Sequence, residues 1–386
     1  IYRDCSGISA STSILVEVAS PNCGTQTVTC AQVSSSSGIE VSQLCPSAFS
    51  TCRGGSLPGV QVYTYRGVVT LQPGCGIYSF NYEECCRNTS NNILNSTSAG
   101  YAVEATLNSD IVNCGSAPTF TSLPVPYFCV NQPVNYSHGA IDAEGDSLVY
   151  SLVTPLDVIG TNITYFGAYT ATNPLPTSGG FGFDTQTGQM TFTPTTQGVY
   201  VVAVLVKEYR NGVLIGSTMR DIQIIIINCS NNAPRVNNCL IPGNVSGGVV
   251  TDCNSLGVCP GQTVTFTIGA RDPDGQPLTV TSNIAASIPG ATLTTTTVGG
   301  PDSVRVTFNW TPLGTDTGFR YFTIQFSDNA CQVPGIQLFT YDITVLDGIY
   351  AGPDKFYCPG GGPVQVTVTG GNYFSWSTTS GMVSAT

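Results

Sequence analysis

Charge is scarce in this chain. Only 9% of its 386 residues are charged, against roughly 25% in an ordinary soluble domain. Twelve Lys and Arg are spread along it without a cluster, and the formal net charge is -11. That balance argues against nucleic acid, which needs a phosphate-neutralising surface, and against binding to an anionic membrane surface. There is one histidine, His138, and no G-x-S-x-G, which leaves almost no scope for a Ser-His-Asp triad. No C-x-x-C occurs, and the spacings Cys23 to Cys30, Cys45 to Cys52 and Cys253 to Cys259 match no zinc finger or ribbon. No apolar run approaches the ~20 residues of a membrane-spanning helix, so membrane insertion is not expected. No window shows a 3.6-residue apolar period capped at both ends.

The places of the missing residues are taken by Ser, Thr, Gly, Asn and Val, which suit strands and turns better than helices. Hydrophobic residues make up 41% of the chain, enough to fill cores. The length suits two to four modules. Sixteen cysteines, nine of them within the first 114 residues, approach the density of disulfide-stapled secreted domains and point to an extracellular protein. The chain opens on "IYRDCSG" as though inside a strand and stops at "SWSTTSGMVSAT" partway through a module. It therefore reads as a segment of a longer polypeptide.

Self-similarity organises the rest. "GAIDAEGDSL" from Gly139 recurs as "GARDPDGQPL" from Gly269. "SAPTF" is matched by "NAPRV", "MTFTPTTQGVYVVAVLV" by "FNWTPLGTDTGFRYFTIQF", and "RDIQIIIIN" by "FTYDITVLD", in the same order. Two homologous modules of about 110 residues follow, the size of an immunoglobulin-like sandwich. Within them "QTVTFTIGA" sets Val264, Phe266 and Ile268 on one face, and "DSVRVTFNW" does the same with Val304, Val306 and Phe308. "VYVVAVLVKE" and "IQIIIIN" are apolar without alternation, as central strands can be. The expected fold class is all-β: tandem immunoglobulin/cadherin-like β-sandwiches stapled by disulfides. The expected units are 1–116, Cys-rich and β; 117–232 and 233–347, the two sandwiches; and 348–386, the start of a further module carrying Trp376.

Cysteine connectivity is not deducible from one sequence. The expected pairs are Cys259 with Cys331, joining strand B to the end of strand F, and Cys239 with Cys253 across a short loop. The adjacent Cys85 and Cys86 are expected on opposite faces of a strand, bonded to different partners.

"IYRDCSG", "EECCRN", "FDTQTGQMTFTP" and "AGPDKFYCPGG" together resemble large surface proteins of the Bacteroidota exported by the type IX secretion system. These include gliding-motility adhesins and filamentous appendages of tandem immunoglobulin- or cadherin-like domains. The resemblance spans nearly the whole chain and implies a cell-surface location, an adhesive or fibre-forming role, and very long parent chains.

The acidic repeat is the main candidate site. Asp142 and Glu144 as a general acid/base pair would need a cleft to split their pKa values, which an exposed turn does not offer. Calcium fits better, with Asp142, Glu144 and Asp146 in one module and Asp272 and Asp274 in the next. Against it stands Gln276, where the first copy has Asp146. The plainer reading is a tight turn whose first Asp accepts backbone amides. His138, just before the turn, is expected at the surface. Asp-Ser-apolar triplets place Ser147 and Ser303 as candidate O-glycosylation sites by the same resemblance, and Asn88, Asn95, Asn135, Asn162, Asn244 and Asn309 lie in N-x-Ser/Thr triplets.

The expected function is a structural or adhesive segment of an extracellular fibre, without catalysis, whose partners are copies of itself or other fibre subunits. The alternative is a carbohydrate- or protein-binding module, with a glycan or cell-surface ligand received on Tyr63, Tyr65, Tyr78 and Tyr82.

Overall fold

A computed structural model of the chain describes residues 1–5, 11–34, 38–112, 115–123 and 126–346. The expected module at 348–386, with Cys358 and Trp376, lies outside the described residues, as does Cys114. The described part is nearly all β, with 51% of its residues in strands and 4% in helices.

The alternation in the C-terminal repeat builds a two-sheet sandwich. Val264–Arg271 pairs antiparallel with Ser303–Trp310, which pairs in turn with Thr292–Thr297. Facing this sheet, Thr279–Ser282, Gly318–Ser327 and Ile336–Val345 run antiparallel in that order, and Ser255–Val258 adds parallel to the last. Val264, Phe266, Ile268, Val304, Val306 and Phe308 all point into the core. There Phe266, Phe308 and Phe322 stack, with ring centroids 4.7 Å and 5.1 Å apart along the row. Each such ring contributes about 2–3 kcal/mol by leaving water.

The preceding repeat has the same topology. Val134–Tyr136, Met190–Pro194 and Thr177–Phe183 form one sheet. Ser147–Val153, Gly198–Arg210 and Val213–Ile227 form the other, with Tyr127–Cys129 parallel to the last. In both repeats an early strand, Tyr127–Cys129 or Ser255–Val258, lies parallel to the final one, as in an immunoglobulin-like sandwich.

The continuous apolar run "VYVVAVLV" has a physical cause: its strand is covered on both faces. Tyr200, Val202, Val204 and Val206 enter the sandwich core, while Val201 packs outward against Ile93 and Ile163. The same holds for "IQIIII", where Ile222, Ile224 and Ile226 point inward and Ile225 packs outward with Val60, Tyr127 and Val333.

Part of the cover on those outer faces, including Ile93 and Val60, comes from the N-terminal part of the chain. Its strands Gly24–Gln32, Ser13–Ser20, Ile77–Cys85 and Gly100–Asn108 form an antiparallel series. The series continues into the first sandwich, because Leu107, Thr106 and Ala105 pair with Gly216, Ser217 and Thr218. One sheet of 11 strands thus crosses from the Cys-rich segment to the strand Ser147–Val153. The free edge of Val213–Ile227 is shared, its beginning taken by Gly100–Asn108 and its end by Tyr127–Cys129.

A polar seam fastens the two sandwiches side by side. Asn135 Nδ2 donates to Gln337 Oε1 at 2.7 Å, and Gln337 Nε2 donates to Pro133 O at 2.7 Å. Gln189 Nε2 donates to Leu338 O at 2.9 Å and its Oε1 accepts from Thr340 N at 3.0 Å. Buried amides are matched donor for acceptor, so the seam has little desolvation cost left unmet.

Six disulfides are formed among the described residues: Cys5–Cys52, Cys23–Cys75, Cys45–Cys331, Cys85–Cys86, Cys129–Cys229 and Cys239–Cys253. Two expectations are corrected. Cys331 bonds to Cys45, leaving Cys259 a free, exposed thiol. The reason is strand length. Cys259 follows Val258, level with Val345 and Gly318, whereas Cys331 lies beyond Ser327 at the far end of that ten-residue strand. At 3.3 Å per residue the two ends are about 30 Å apart, far outside disulfide reach. Cys85 and Cys86 bond to each other rather than to separate partners.

Candidate functional site

The acidic repeat falls, in both sandwiches, on the turn that carries the chain from one sheet to the other. Its glycine is needed for conformation: Gly145 sits at φ 85° and Gly275 at φ 78°, the left-handed region. Its first aspartate holds the turn. Asp142 Oδ1 accepts from the backbone N–H of Asp146 at 2.7 Å. Asp272 Oδ1 accepts from Asp274 N at 2.9 Å and Gln276 N at 2.8 Å.

Around the first turn the carboxylates gather. Oxygens of Asp142, Glu144 and Asp146 lie within 4.8 Å of one another. Two residues that sequence reasoning missed complete the group. Arg210 grips Asp146 with both prongs, Nε to Oδ1 at 2.9 Å and Nη2 to Oδ2 at 2.6 Å. Glu208, on the same face of that strand and 4% exposed, lies against the cluster. Burial first, then the charge of Asp142, pushes the Glu208 carboxyl up to about 8. Burial likewise raises Asp142. The signal was present: "KEYRNG" ends an apolar strand with charges two apart, followed by an Asn-Gly hairpin turn.

Calcium takes six to eight oxygens, and most of those gathered here already have partners. Both oxygens of Asp146 are held by the guanidinium, and both oxygens of Glu144 accept from Ser116, from its N–H at 3.3 Å and its hydroxyl at 3.0 Å. Asp142 keeps one buried oxygen without a partner. A positive charge is already in place, and it belongs to Arg210.

In the second copy Asp272 and Asp274 join no such cluster among the described residues. Asp274 accepts from Asn232 N and from Asn232 Nδ2, both at 2.8 Å, while Gln276 Nε2 donates to Asn231 Oδ1 at 3.2 Å. The turn is thereby tied to the segment that joins the two repeats.

His138 is fully buried, not at the surface. It stands edge-on to Tyr136, and Arg220 Nη1 lies 3.3 Å from its Nδ1. Burial, then the charge of Arg220, holds its pKa well below 6.5, so the ring stays neutral. Tyr63 and Tyr78 are buried too, as packing residues rather than an exposed aromatic platform. Tyr65 and Tyr82 are half-buried. Ser147 and Ser303 are each half-buried at the start of a strand. A cleft of about 380 Å³ between the sandwiches is lined by Asp184, Gln189, Asp252, Asn254 and Phe339. Its amides are largely bonded to their own neighbours, as Gln189 is to Leu338 and Thr340, and Asn254 Oδ1 to Asn238.

No family model matches the chain, and no curated protein does. Among solved structures, the chain is similar to one described as Dpr2 Ig1-Ig2 in complex with DIP-Theta Ig1-Ig3. The identity is 9%, the alignment covers 86% of this chain and 89% of that one, and the TM-score is 0.21. That score is too low to carry an argument, and the immunoglobulin-like assignment rests on strand order.

The third notable place is a junction. Val60 from the N-terminal part, Tyr127 and Ile225 from the first sandwich, and Val333 from the second share one small core. The Tyr127 hydroxyl donates to Pro58 O across it, and Cys45–Cys331 closes over its rim. Six disulfides belong to an oxidising compartment, which suits an extracellular protein.

Proposed function

We propose that this chain is a structural and adhesive segment of a large extracellular surface protein or fibre, acting without catalysis. The observation that carries the reading is continuity. Backbone hydrogen bonds run through one sheet from the Cys-rich segment into the first sandwich, a buried amide seam joins the sandwiches, and a disulfide links the first part to the last. A chain fastened three ways resists bending at its module boundaries, which a reaction centre does not require and a strut does. In this reading the segments 1–116, 117–232 and 233–347 are homologous or accessory β-units fused into one body. Its partners are other copies of itself or other subunits of a bacterial surface appendage. The turn at Asp142 is closed by Arg210 in place of a metal.

Electron microscopy of the native particle tests the proposal. A periodic filament or symmetric bundle is the expected image. Isolated monomers at cell-surface concentrations, together with saturable turnover of any substrate, would overturn it.

A further inference from the structure

Tension applied to a cross-linked chain follows its covalent bonds, so the disulfide map decides which residues a pull can unravel. From Ile1 to Val345 the shortest covalent path runs along residues 1–5 and crosses to Cys52. It then returns along 52–45, crosses to Cys331 and finishes along 331–345. About 25 residue spans lie on that path, so at ~3.5 Å per span it reaches only about 10 nm when taut. The first sandwich, and all of the second except its last strand, lie off it.

We propose that Cys45–Cys331 is a tension clasp that shields residues 53–330 from extension when the segment is pulled lengthwise. The inference rests on the structural reading above and names the bond through which force passes. The two cysteines are apposed by more than their sulfurs: Cys45 N donates to Gln332 O at 3.0 Å, and their Cα atoms are 5.2 Å apart. Leu44 and Val333, the neighbours of the clasp, pack in the junction core beneath it. Of the two strands on the path, Tyr2–Asp4 and Ile336–Val345, the longer, Ile336–Val345, is anchored beyond one end by Cys331 and pulled at the other. It is therefore loaded along its own axis. Its hydrogen bonds to Gly318–Ser327 and Ser255–Val258 share that load and resist together, where a strand peeled from one end would lose them singly. The clasp also joins parts of the chain 286 residues apart, so it removes far more slack than any other disulfide among the described residues.

The test is single-molecule stretching of the full oxidised chain with handles at its two ends, beside the C45S/C331S double variant. In that variant the shortest path runs through Cys5–Cys52, Cys129–Cys229 and Cys239–Cys253 and contains about 180 spans. The expected result is that the variant releases about 55 nm more contour length than the native chain. Equal release from both would overturn the proposal. Peptide mapping of the unreduced native protein gives a second readout that needs no variant to fold. A fragment linking Cys45 to Cys331 is expected, and Cys331 found free or bonded elsewhere also overturns the proposal. Neither measurement involves assembly, so a failed clasp and a failed fibre reading are told apart.

Discussion

Asn92 offers the sharpest test of how the N-terminal part is built into the first sandwich. The strand Ser147–Val153 pairs with Gly198–Arg210 only as far as Val153 opposite Ala203, and Pro155 follows. Beyond that point Val199 and Val201 have lost their neighbour, and the segment Asn91–Asn92 takes its place. Asn91 N donates to Val199 O and Asn91 Oδ1 accepts from Val199 N, both at 2.7 Å. Asn92, with no exposed surface, donates from Nδ2 to Val201 O at 2.8 Å and to Pro174 O at 2.9 Å. Its Oδ1 accepts from Val201 N at 3.0 Å. The side-chain amide therefore stands in for a peptide group of the missing strand. Asn92→Ala leaves three buried backbone groups unpaired, at about 1–3 kcal/mol each before relaxation. With water reaching part of the gap, a net loss of about 3–5 kcal/mol is expected. Asn92→Asp should cost at least as much, since it sets a carboxylate against two carbonyl oxygens. Equilibrium urea unfolding of the oxidised protein, with the slope checked for constancy, measures both. A loss below about 1 kcal/mol for the alanine variant would refute the reasoning.

Two further outcomes follow from the buried charges. His138 is held neutral when folded but binds a proton near pH 6.5 when unfolded. Its contribution is therefore intact above pH 6.5 and falls by up to about 1.4 kcal/mol per unit below it. Glu208 has the opposite sign: raised to about 8 from 4.5, it favours the folded state most below pH 4.5 and loses that contribution as pH rises towards 8. Between pH 4.5 and 6.5 the two slopes oppose each other, so unfolding free energy measured from pH 5 to 8 should fall with pH throughout in His138→Gln and rise up to about pH 6.5 in Glu208→Gln; slopes unchanged from the native protein would contradict both assignments. Millimolar calcium or a chelator should leave the melting temperature within about 1 °C, because Arg210 already neutralises Asp146, whereas a rise of several degrees would restore the cation site.

The sandwiches were legible because their information is local. Val264, Phe266 and Ile268 alternate as a half-buried strand must, and the acidic repeat lands on the same inter-sheet turn in both copies. Features that depend on distant partners left no such trace. Backbone pairing of Leu107 with Gly216 uses no particular residue type, so nothing in either segment announces it. Sandwich staples are often internal, which would join Cys331 to Cys259, but here its partner, Cys45, comes from a part of the chain folded across the junction. His138 looked exposed because it sits beside a glycine turn, and its burial arises from Tyr136, Phe120 and Arg220 closing over it. At the candidate site, the carboxylates could be read from the motif. Their countercharge, 64 residues further along, showed only as the charged strand end "KEYRNG", with nothing local to say which turn it meets.

The central claim is that the described strands form one body rather than separable beads. Scanning calorimetry of the oxidised chain addresses it directly, through the ratio of calorimetric to van't Hoff enthalpy. A fused body gives one transition and a ratio near one, while resolved transitions, or a ratio of about two to three, would show the units melting independently.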